Sequence, residues 1–227
     1  MSFVHEQYLE VSQKVAQCAE SCGNDRVELL AVSKTFPAEN IAELYACGVR
    51  RFAESKATEL ATKAAGLPAD IEWHFIGHLQ SNKVKSVLEH ATVIHTVDSW
   101  KLLERIDRIA GELGKKPQVF LEVNVSGEAS KFGLSPDAVE EMVLAAQERQ
   151  LRCLGLMTIA PLAAKPAELG KIFADLRRLR DKLAARTGSP LPELSMGMSG
   201  DFLIAIAEGA TLVRLGSAVF GHRPSIE

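Results

Sequence analysis

The chain has 227 residues, of which 47% are hydrophobic and 24% are charged. A chain of this size buries about 70% of the surface that it exposes when unfolded, so it needs neither disulfides nor a metal to form a core. Lys and Arg number 26 and Asp and Glu number 29, which gives a formal net charge of −3 at pH 7. This balance argues against a protein whose main partner is a nucleic acid or an anionic membrane surface.

The cysteines and the first residues of the chain indicate a compartment. Cys18, Cys22, Cys47 and Cys153 follow the spacing of neither a disulfide framework nor a zinc ribbon. The first residues contain neither the cationic segment nor the apolar run of a targeting peptide. No stretch of the sequence reaches the roughly 18 apolar residues that a membrane span requires. We therefore predict a cytoplasmic protein with no membrane segment, and we expect a monomer because no long exposed apolar stretch demands a partner.

Short apolar runs, turns and amphipathic helical stretches alternate along the chain, which is typical of βα units around a parallel sheet. The pattern predicts a leader helix at about residues 8–22. Eight strands are then predicted at residues 28–32, 51–53, 72–76, 92–97, 118–123, 153–157, 193–195 and 211–215.

Eight βα units predict an α/β fold, a single (β/α)8 TIM barrel with an extra N-terminal helix. We expect one domain over residues 1–227, with the barrel at about 28–222, because no linker-like segment divides the chain. An open doubly wound sheet is the alternative. In a barrel the functional residues lie at the carboxyl ends of the strands, and these ends are readable from the sequence.

Lys34 follows the first predicted strand, in the run Val32-Ser33-Lys34-Thr35. An ammonium at the end of an apolar strand is partly desolvated, which favours the neutral amine that forms a Schiff base with a carbonyl compound. The alternative is an ordinary solvated surface lysine.

Small and hydroxyl residues follow the seventh and eighth strands, at Ser199, Gly200, Gly216 and Ser217. These two loops commonly bind phosphate in barrels, through backbone N–H groups and the start of a short helix. The residues could also be ordinary loop residues. Two such clusters at adjacent corners of the barrel favour an anion site.

Arg214 lies in the apolar eighth strand, where a guanidinium needs a carboxylate, carbonyl groups or a ligand as partner. A salt bridge inside the barrel is one interpretation. Together with Lys34 and the anion site, Arg214 instead indicates a phosphorylated aldehyde, bound through its carbonyl and its phosphate. Pyridoxal phosphate is the commonest such molecule.

Over nearly its whole length the chain resembles the YggS-type pyridoxal-phosphate homeostasis proteins, which are relatives of the barrel domain of bacterial alanine racemases. The stretches that carry the resemblance are AVSKT at 31–35, WHFIGHLQSNK at 73–83, EVNV at 122–125, GLMT at 155–158, SMGMSGD at 195–201 and RLGSAVFG at 214–221. The resemblance implies intracellular pyridoxal-phosphate homeostasis and possible transfer of the cofactor to apo-enzymes that depend on it.

The resemblance also implies roles for particular residues. Lys34 would carry the cofactor as an internal aldimine, and Arg214 would face the pyridine nitrogen. The phosphate would contact Ser199, Gly200, Gly216 and Ser217. One segment departs from the family, which usually has Phe-Gly-Glu-Asn-Tyr where this chain has Phe52-Ala53-Glu54-Ser55-Lys56. Ser55 is shorter than asparagine and would need a water to reach the phenolic oxygen of the cofactor.

The same features favour binding over catalysis. An arginine at the pyridine nitrogen weakens the ring as an electron sink, and racemisation would need a second acid or base on the other face of the reacting carbon. Related racemases take this group, a tyrosine, from an additional domain, whereas Tyr8 and Tyr45 lie on predicted helices here. An amino-acid racemase and a lysine-dependent aldolase acting on a sugar phosphate are the alternatives. We interpret His74, His78 and His95 as polar residues near the rim rather than metal ligands.

Overall fold

The computed structural model describes residues 2–128, 132–149 and 151–221. Within them, eight parallel strands pair in sequence order and close into a barrel, so the predicted (β/α)8 TIM barrel is confirmed. The strands are β1 Glu28–Val32, β2 Arg51–Glu54, β3 Glu72–Phe75, β4 Val93–Val97, β5 Gln118–Glu122, β6 Arg152–Met157, β7 Glu193–Ser195 and β8 Leu212–Leu215.

The barrel closes where β8 pairs with β1. Leu29 lies opposite Val213, and Leu30 lies opposite Arg214. This ladder excludes the open doubly wound sheet, whose first and last strands would not meet. Each end of each predicted strand lies within one residue of the observed end, because turn residues bound every apolar run.

Helices surround the strands in the described part of the chain. They are α1 Phe3–Cys22, α2 Ala38–Ala46, α3 Ala57–Gly66, α4 Val84–His90, α5 Trp100–Leu113, α6 Val139–Gln147, α7 Pro166–Thr187, α8 Phe202–Ala207 and α9 Ser217–Phe220, with a 3-10 turn at Pro136–Ala138 before α6. In the three described ranges, no helix combines the length and the apolar character that crossing a bilayer requires.

The leader helix α1 begins at Phe3, five residues before the predicted start. The cause is a cap that the apolar pattern does not reveal: the Ser2 hydroxyl accepts a hydrogen bond from the His5 N–H at 3.3 Å. The helix ends at Gly23, which adopts a left-handed conformation with φ 64°. Its buried face includes Val4, Val11 and Val15, and α1 packs against α2, α8 and α9.

The strands separate two apolar regions. The larger one lies between strands and helices, and a smaller one fills the barrel interior with side chains that include Leu30, Val93, Phe120 and Leu212. Successive side chains of a strand point to opposite faces, so His95 and Arg214, each two residues after an interior residue, also face inward. The interior is therefore apolar at one level and polar nearer the carboxyl ends of the strands.

Candidate functional site at the barrel mouth

A cavity of about 700 Å³ opens at the carboxyl ends of the strands. Six of the seven predicted site residues line it, namely Lys34, Ser199, Gly200, Arg214, Gly216 and Ser217. The loops after β1, β7 and β8 contribute these residues, and the closure of the barrel makes the three loops neighbours. The structure therefore brings together residues from the two ends of the sequence.

Ser55 is the exception. It follows β2 and is half-buried, but it is not among the described residues that line the cavity. Its backbone packs against Gly77 so closely that a Cβ at Gly77 would lie 2.0 Å from the Ser55 carbonyl oxygen. The contact of Ser55 with a ligand stays a prediction.

Lys34 lies in a tight turn after β1. The Phe36 N–H donates to the Ser33 carbonyl oxygen at 3.1 Å, which closes the turn around Lys34. Thr35 has φ 70°, a conformation that β-branched residues rarely adopt. Such backbone strain costs on the order of 1–3 kcal/mol and persists only where the surrounding contacts impose it.

The two loops of the predicted anion site are joined to each other. The Ala218 N–H, in the first turn of α9, donates to the Ser199 hydroxyl at 3.2 Å. The loop before α8 is a turn in which the Asp201 carboxylate accepts from the Met198 N–H at 2.5 Å. The N–H groups of Val219 and Phe220 both donate to the Gly216 carbonyl oxygen at 2.9 Å, so among the described residues of α9 the Ser217 N–H is left without an acceptor, at the edge of the cavity.

Arg214 is buried and only 4% exposed. Its Nη1 donates to the Ser195 hydroxyl at 2.7 Å, and its Nη2 donates to the Thr158 carbonyl oxygen at 2.9 Å. Burial lowers the pKa of Arg214 to about 10, against the opposing effects of the Asp201 and Glu122 charges, so the side chain is a cation at neutral pH. No acceptor for its Nε lies among the described residues, and the side chain borders the cavity.

Four polar side chains continue from Arg214 through the barrel interior. The Ser195 hydroxyl lies 2.9 Å from His95 Nδ1, and His95 Nε2 lies 2.9 Å from His74 Nδ1. His74 Nε2 lies 3.1 Å from a Glu72 carboxylate oxygen. We refer to Ser195, His95, His74 and Glu72 as the interior chain.

One assignment of protons satisfies every bond of the interior chain. Burial lowers the pKa of His74 and lowers that of His95 well below its ordinary value, so both rings are neutral at pH 7. A neutral imidazole has one donor and one acceptor nitrogen. Ser195 accepts from Arg214 and donates to His95, which donates to His74, which donates to Glu72. His74 and His95 thus lie inside the barrel, not near its rim as predicted, because they occupy inward positions of β3 and β4.

Glu122, at the end of β5, is a titratable group that the sequence interpretation missed. It is 6% exposed, and it follows the interior residue Phe120 by two positions, so it faces inward. Burial raises its pKa to about 7; the Asp98 charge raises it further, and Arg214 opposes the shift. A carboxyl group that exchanges a proton near neutral pH therefore lies at the same end of the barrel as Arg214.

His78 lies apart from the interior chain. Its Nδ1 is 3.2 Å from the Asp98 carboxylate, and its ring stacks on Phe132 with centroids 4.0 Å apart. Among the described residues, no group of three His, Cys, Asp or Glu side chains is arranged to bind a metal ion.

The comparison with family models identifies the fold family. Residues 10–224 match the model of the alanine racemase N-terminal domain. The chain belongs to this family. A relative from Aquifex aeolicus, named pyridoxal phosphate homeostasis protein, is 40% identical over 222 residues, which are 96% of this chain and 97% of that protein. The resemblance inferred from the motifs is thereby confirmed.

Solved structures of the family have the same architecture. PipY of Synechococcus elongatus with pyridoxal phosphate bound is 42% identical to this chain, with a TM-score of 0.80. The match covers 91% of this chain and 100% of the PipY chain. The same protein without pyridoxal phosphate gives a TM-score of 0.83. Alanine racemase of Clostridium difficile has a TM-score of 0.74 at 16% identity, with 57% of its chain covered, and this likeness shows the fold alone.

The neutral interior chain of this family member predicts a pH-dependent stability. The folded-state pKa of His95 lies below the unfolded value of about 6.5, so the unfolded chain alone gains this proton as the pH falls. Between about pH 7.5 and about pH 5.5 we expect the wild type to lose about 1.4 kcal/mol more stability than His95→Gln, which has no such proton. Urea unfolding of both proteins at both pH values measures this difference.

Glu122 titrates in both proteins, so its contribution cancels in the comparison, and the side-chain amide of His95→Gln retains a donor for His74 Nδ1. Equal losses of stability in the wild type and in His95→Gln would contradict a neutral His95.

Proposed function

We propose that the protein binds pyridoxal 5′-phosphate covalently through Lys34 and acts in the homeostasis of this cofactor. The observation that carries the proposal is one cavity that presents a lysine amine, a buried arginine and a double loop of small and hydroxyl residues. These three features correspond to the aldehyde, the ring nitrogen and the phosphate of the cofactor. Relatives with the homeostasis name, and PipY with the cofactor bound, support the same assignment.

The residues present match the cofactor group by group. The hydroxyls of Ser199 and Ser217 and the backbone at Gly200 and Gly216 would bind the phosphate, because hydroxyl and N–H donors suit an anion. The Lys34 amine would add to the aldehyde carbon; water leaves, and a carbon–nitrogen double bond forms. Arg214 would donate one of its remaining N–H groups to the ring nitrogen, because the bonds to Ser195 and Thr158 use only two of the five guanidinium donors.

We propose that the chain carries the cofactor rather than using it for catalysis. Bound pyridoxal phosphate supplies an electron-withdrawing ring, and a nitrogen that accepts a hydrogen bond from a cationic arginine stays unprotonated and withdraws less. Neither Tyr8 nor Tyr45 is among the described residues that line the cavity. Tyr8 is on α1, and the Tyr45 hydroxyl donates to Asp70 at 2.6 Å. Recipients of the carried cofactor would be apo-enzymes that require it.

The compartment, assembly and domain organisation are part of the same proposal. Cys18, Cys22, Cys47 and Cys153 are all free thiols, which supports a reducing compartment such as the cytoplasm. We propose that residues 1–227 act as one cofactor-binding domain and as a monomer.

An amino-acid racemase is the second candidate function, and Glu122 is the observation in its favour. A racemase needs a group that removes or returns a proton on the face opposite to the first. The Glu122 carboxyl is buried at the end of β5, outside the described lining of the cavity, and its pKa of about 7 suits that role.

Reduction should fix the cofactor on one lysine. Wild-type protein incubated with pyridoxal phosphate should become yellow, and borohydride should leave a stable adduct that mass spectrometry maps to Lys34. Lys34→Ala should lose the colour and the adduct, whereas Lys56→Ala, which removes an exposed lysine after β2, should keep both. An adduct on another lysine, or none, would refute covalent binding at Lys34.

The phosphate loops should discriminate between the cofactor and its unphosphorylated form. Ser217→Ala removes one hydroxyl donor, and a hydrogen bond to a charged group contributes about 1.5–3 kcal/mol, so pyridoxal phosphate should bind at least about tenfold more weakly. Pyridoxal has no phosphate, and its affinity should be unchanged. Titration by absorbance measures both affinities, with Ser21→Ala on α1 as the control. Equal weakening for the two ligands would argue against a phosphate at Ser217.

Deuterium exchange separates carrying from catalysis. Loaded protein should exchange the Cα hydrogen of alanine, serine and glutamate in heavy water no faster than free pyridoxal phosphate at the same concentration. NMR measures the exchange. Fast exchange that Glu122→Gln and Lys34→Ala both abolish would instead establish the racemase alternative.

A further inference from the structure

Three ionisable side chains lie beside the turn that carries Lys34. Lys63 Nζ is 2.7 Å from a carboxylate oxygen of Glu54 and 2.7 Å from one of Glu59. The side chain of Glu54 is 0% exposed, that of Lys63 is 8% exposed and that of Glu59 is 21% exposed. We call Glu54, Glu59 and Lys63 the clamp. Its residues come from β2 and α3, and none of them lines the cavity.

The clamp holds the residue before Lys34. Lys63 donates to the Ser33 carbonyl oxygen at 2.8 Å, and the Ser33 hydroxyl donates to Glu54 Oε1 at 2.7 Å. The Ser33 N–H also donates to the Ala53 carbonyl oxygen at 3.0 Å. Ser33 is 0% exposed, so all three of its polar groups are bonded within the protein.

The clamp also holds the residue after Lys34. The Thr35 N–H donates to Glu59 Oε1 at 2.8 Å, the same oxygen that Lys63 contacts. This bond fixes the backbone of Thr35 at its φ of 70°. Lys34 therefore lies between two residues that the clamp fixes, and its side chain is the one that borders the cavity.

Stability alone is a poor explanation for the clamp. Buried ion pairs lose much of their attraction to desolvation, and apolar side chains of similar volume often stabilise a protein as well or better. Glu54 Oε2 is buried without a hydrogen-bond partner among the described residues, and burial raises the pKa of Glu54 despite the adjacent Lys63. An arrangement this costly, next to a strained residue, is typical of functional sites.

We propose that Lys63 is a positioning residue, which with Glu54 and Glu59 sets the backbone of the Lys34 turn so that the lysine amine points at the carbonyl of the ligand. The inference rests on the proposed covalent binding at Lys34. It assigns the orientation of that amine to a network outside the cavity, while the phosphate loops bind independently of it.

Two disruptive variants and two controls test the clamp. Lys63→Met removes the cation with little change in length, and Glu59→Ala removes the acceptor of the Thr35 N–H. Glu59→Gln retains an oxygen acceptor and serves as the conservative variant, and Thr62→Ala on the exposed face of α3 is the control. Since Glu59 is partly exposed, its variants decide the question if Lys63→Met does not fold.

Two ligands separate orientation from general damage. The rate of the borohydride-trapped Lys34 adduct with pyridoxal phosphate reports on the amine. The affinity for pyridoxamine phosphate, which has no aldehyde, reports on the rest of the site. We expect trapping to be about tenfold slower in Lys63→Met and Glu59→Ala, the effect of one lost charge-assisted hydrogen bond, and close to the wild-type rate in Glu59→Gln and Thr62→Ala.

Pyridoxamine phosphate should bind all four variants with wild-type affinity. Trapping at the wild-type rate in folded Glu59→Ala would overturn the proposal, and so would a parallel loss of pyridoxamine phosphate binding. If the wild type traps no ligand at Lys34, the proposed function itself fails, an outcome distinct from both.

Discussion

The pairing of β8 with β1 is the constraint on which the rest of the structure depends. Leu30 and Ala31 lie beside Arg214 and Leu215, so a turn near the start of the chain and a loop near its end leave the barrel side by side. Lys34 and Ser217 border one cavity for this reason. In an open sheet these two strands would be separate, and no lysine would face the anion loops. The backbone pairing that closes the barrel therefore determines where the site lies, and the side chains determine its chemistry.

A cation inside a barrel loses its hydration and needs hydrogen-bond acceptors in place of water. For Arg214, uncharged groups supply most of these acceptors. Arg214 donates to a hydroxyl and a carbonyl oxygen, and the interior chain then passes hydrogen bonds through two uncharged imidazoles to Glu72. A carboxylate paired directly with Arg214 would cancel its charge and occupy its donors. Because hydroxyl and carbonyl partners leave the charge intact, Arg214 remains able to attract an acceptor or an anion in the cavity.

The local sequence pattern was sufficient to predict the strands and the residues at their carboxyl ends. It was insufficient to predict which side chains contact each other across the barrel. Lys34, Ser199 and Arg214 could be predicted because each lies at or just after an apolar run, and the fold sends those positions to one edge. The contact between Ser195 and His95 depends on the stagger of strands that are far apart in sequence, and no periodicity encodes it. The early start of α1 was missed because one serine cap, rather than an apolar stripe, determines it.

Two separate polar networks hold different residues that line the cavity. The interior chain contacts Arg214 from within the barrel. The clamp contacts the residues on either side of Lys34 from outside the barrel. The hydrogen bonds of the two networks therefore involve different residues of the site. The loops after β7 and β8 form a third unit, joined by the bond between Ala218 and Ser199. Under the proposed function, the aldehyde, the ring nitrogen and the phosphate of the cofactor would each contact a separately supported unit, and a change in one unit would alter a single contact. Such separation would suit the proposed carrier role, because weakening the proposed bond at Lys34 alone would release the aldehyde while the phosphate is still held.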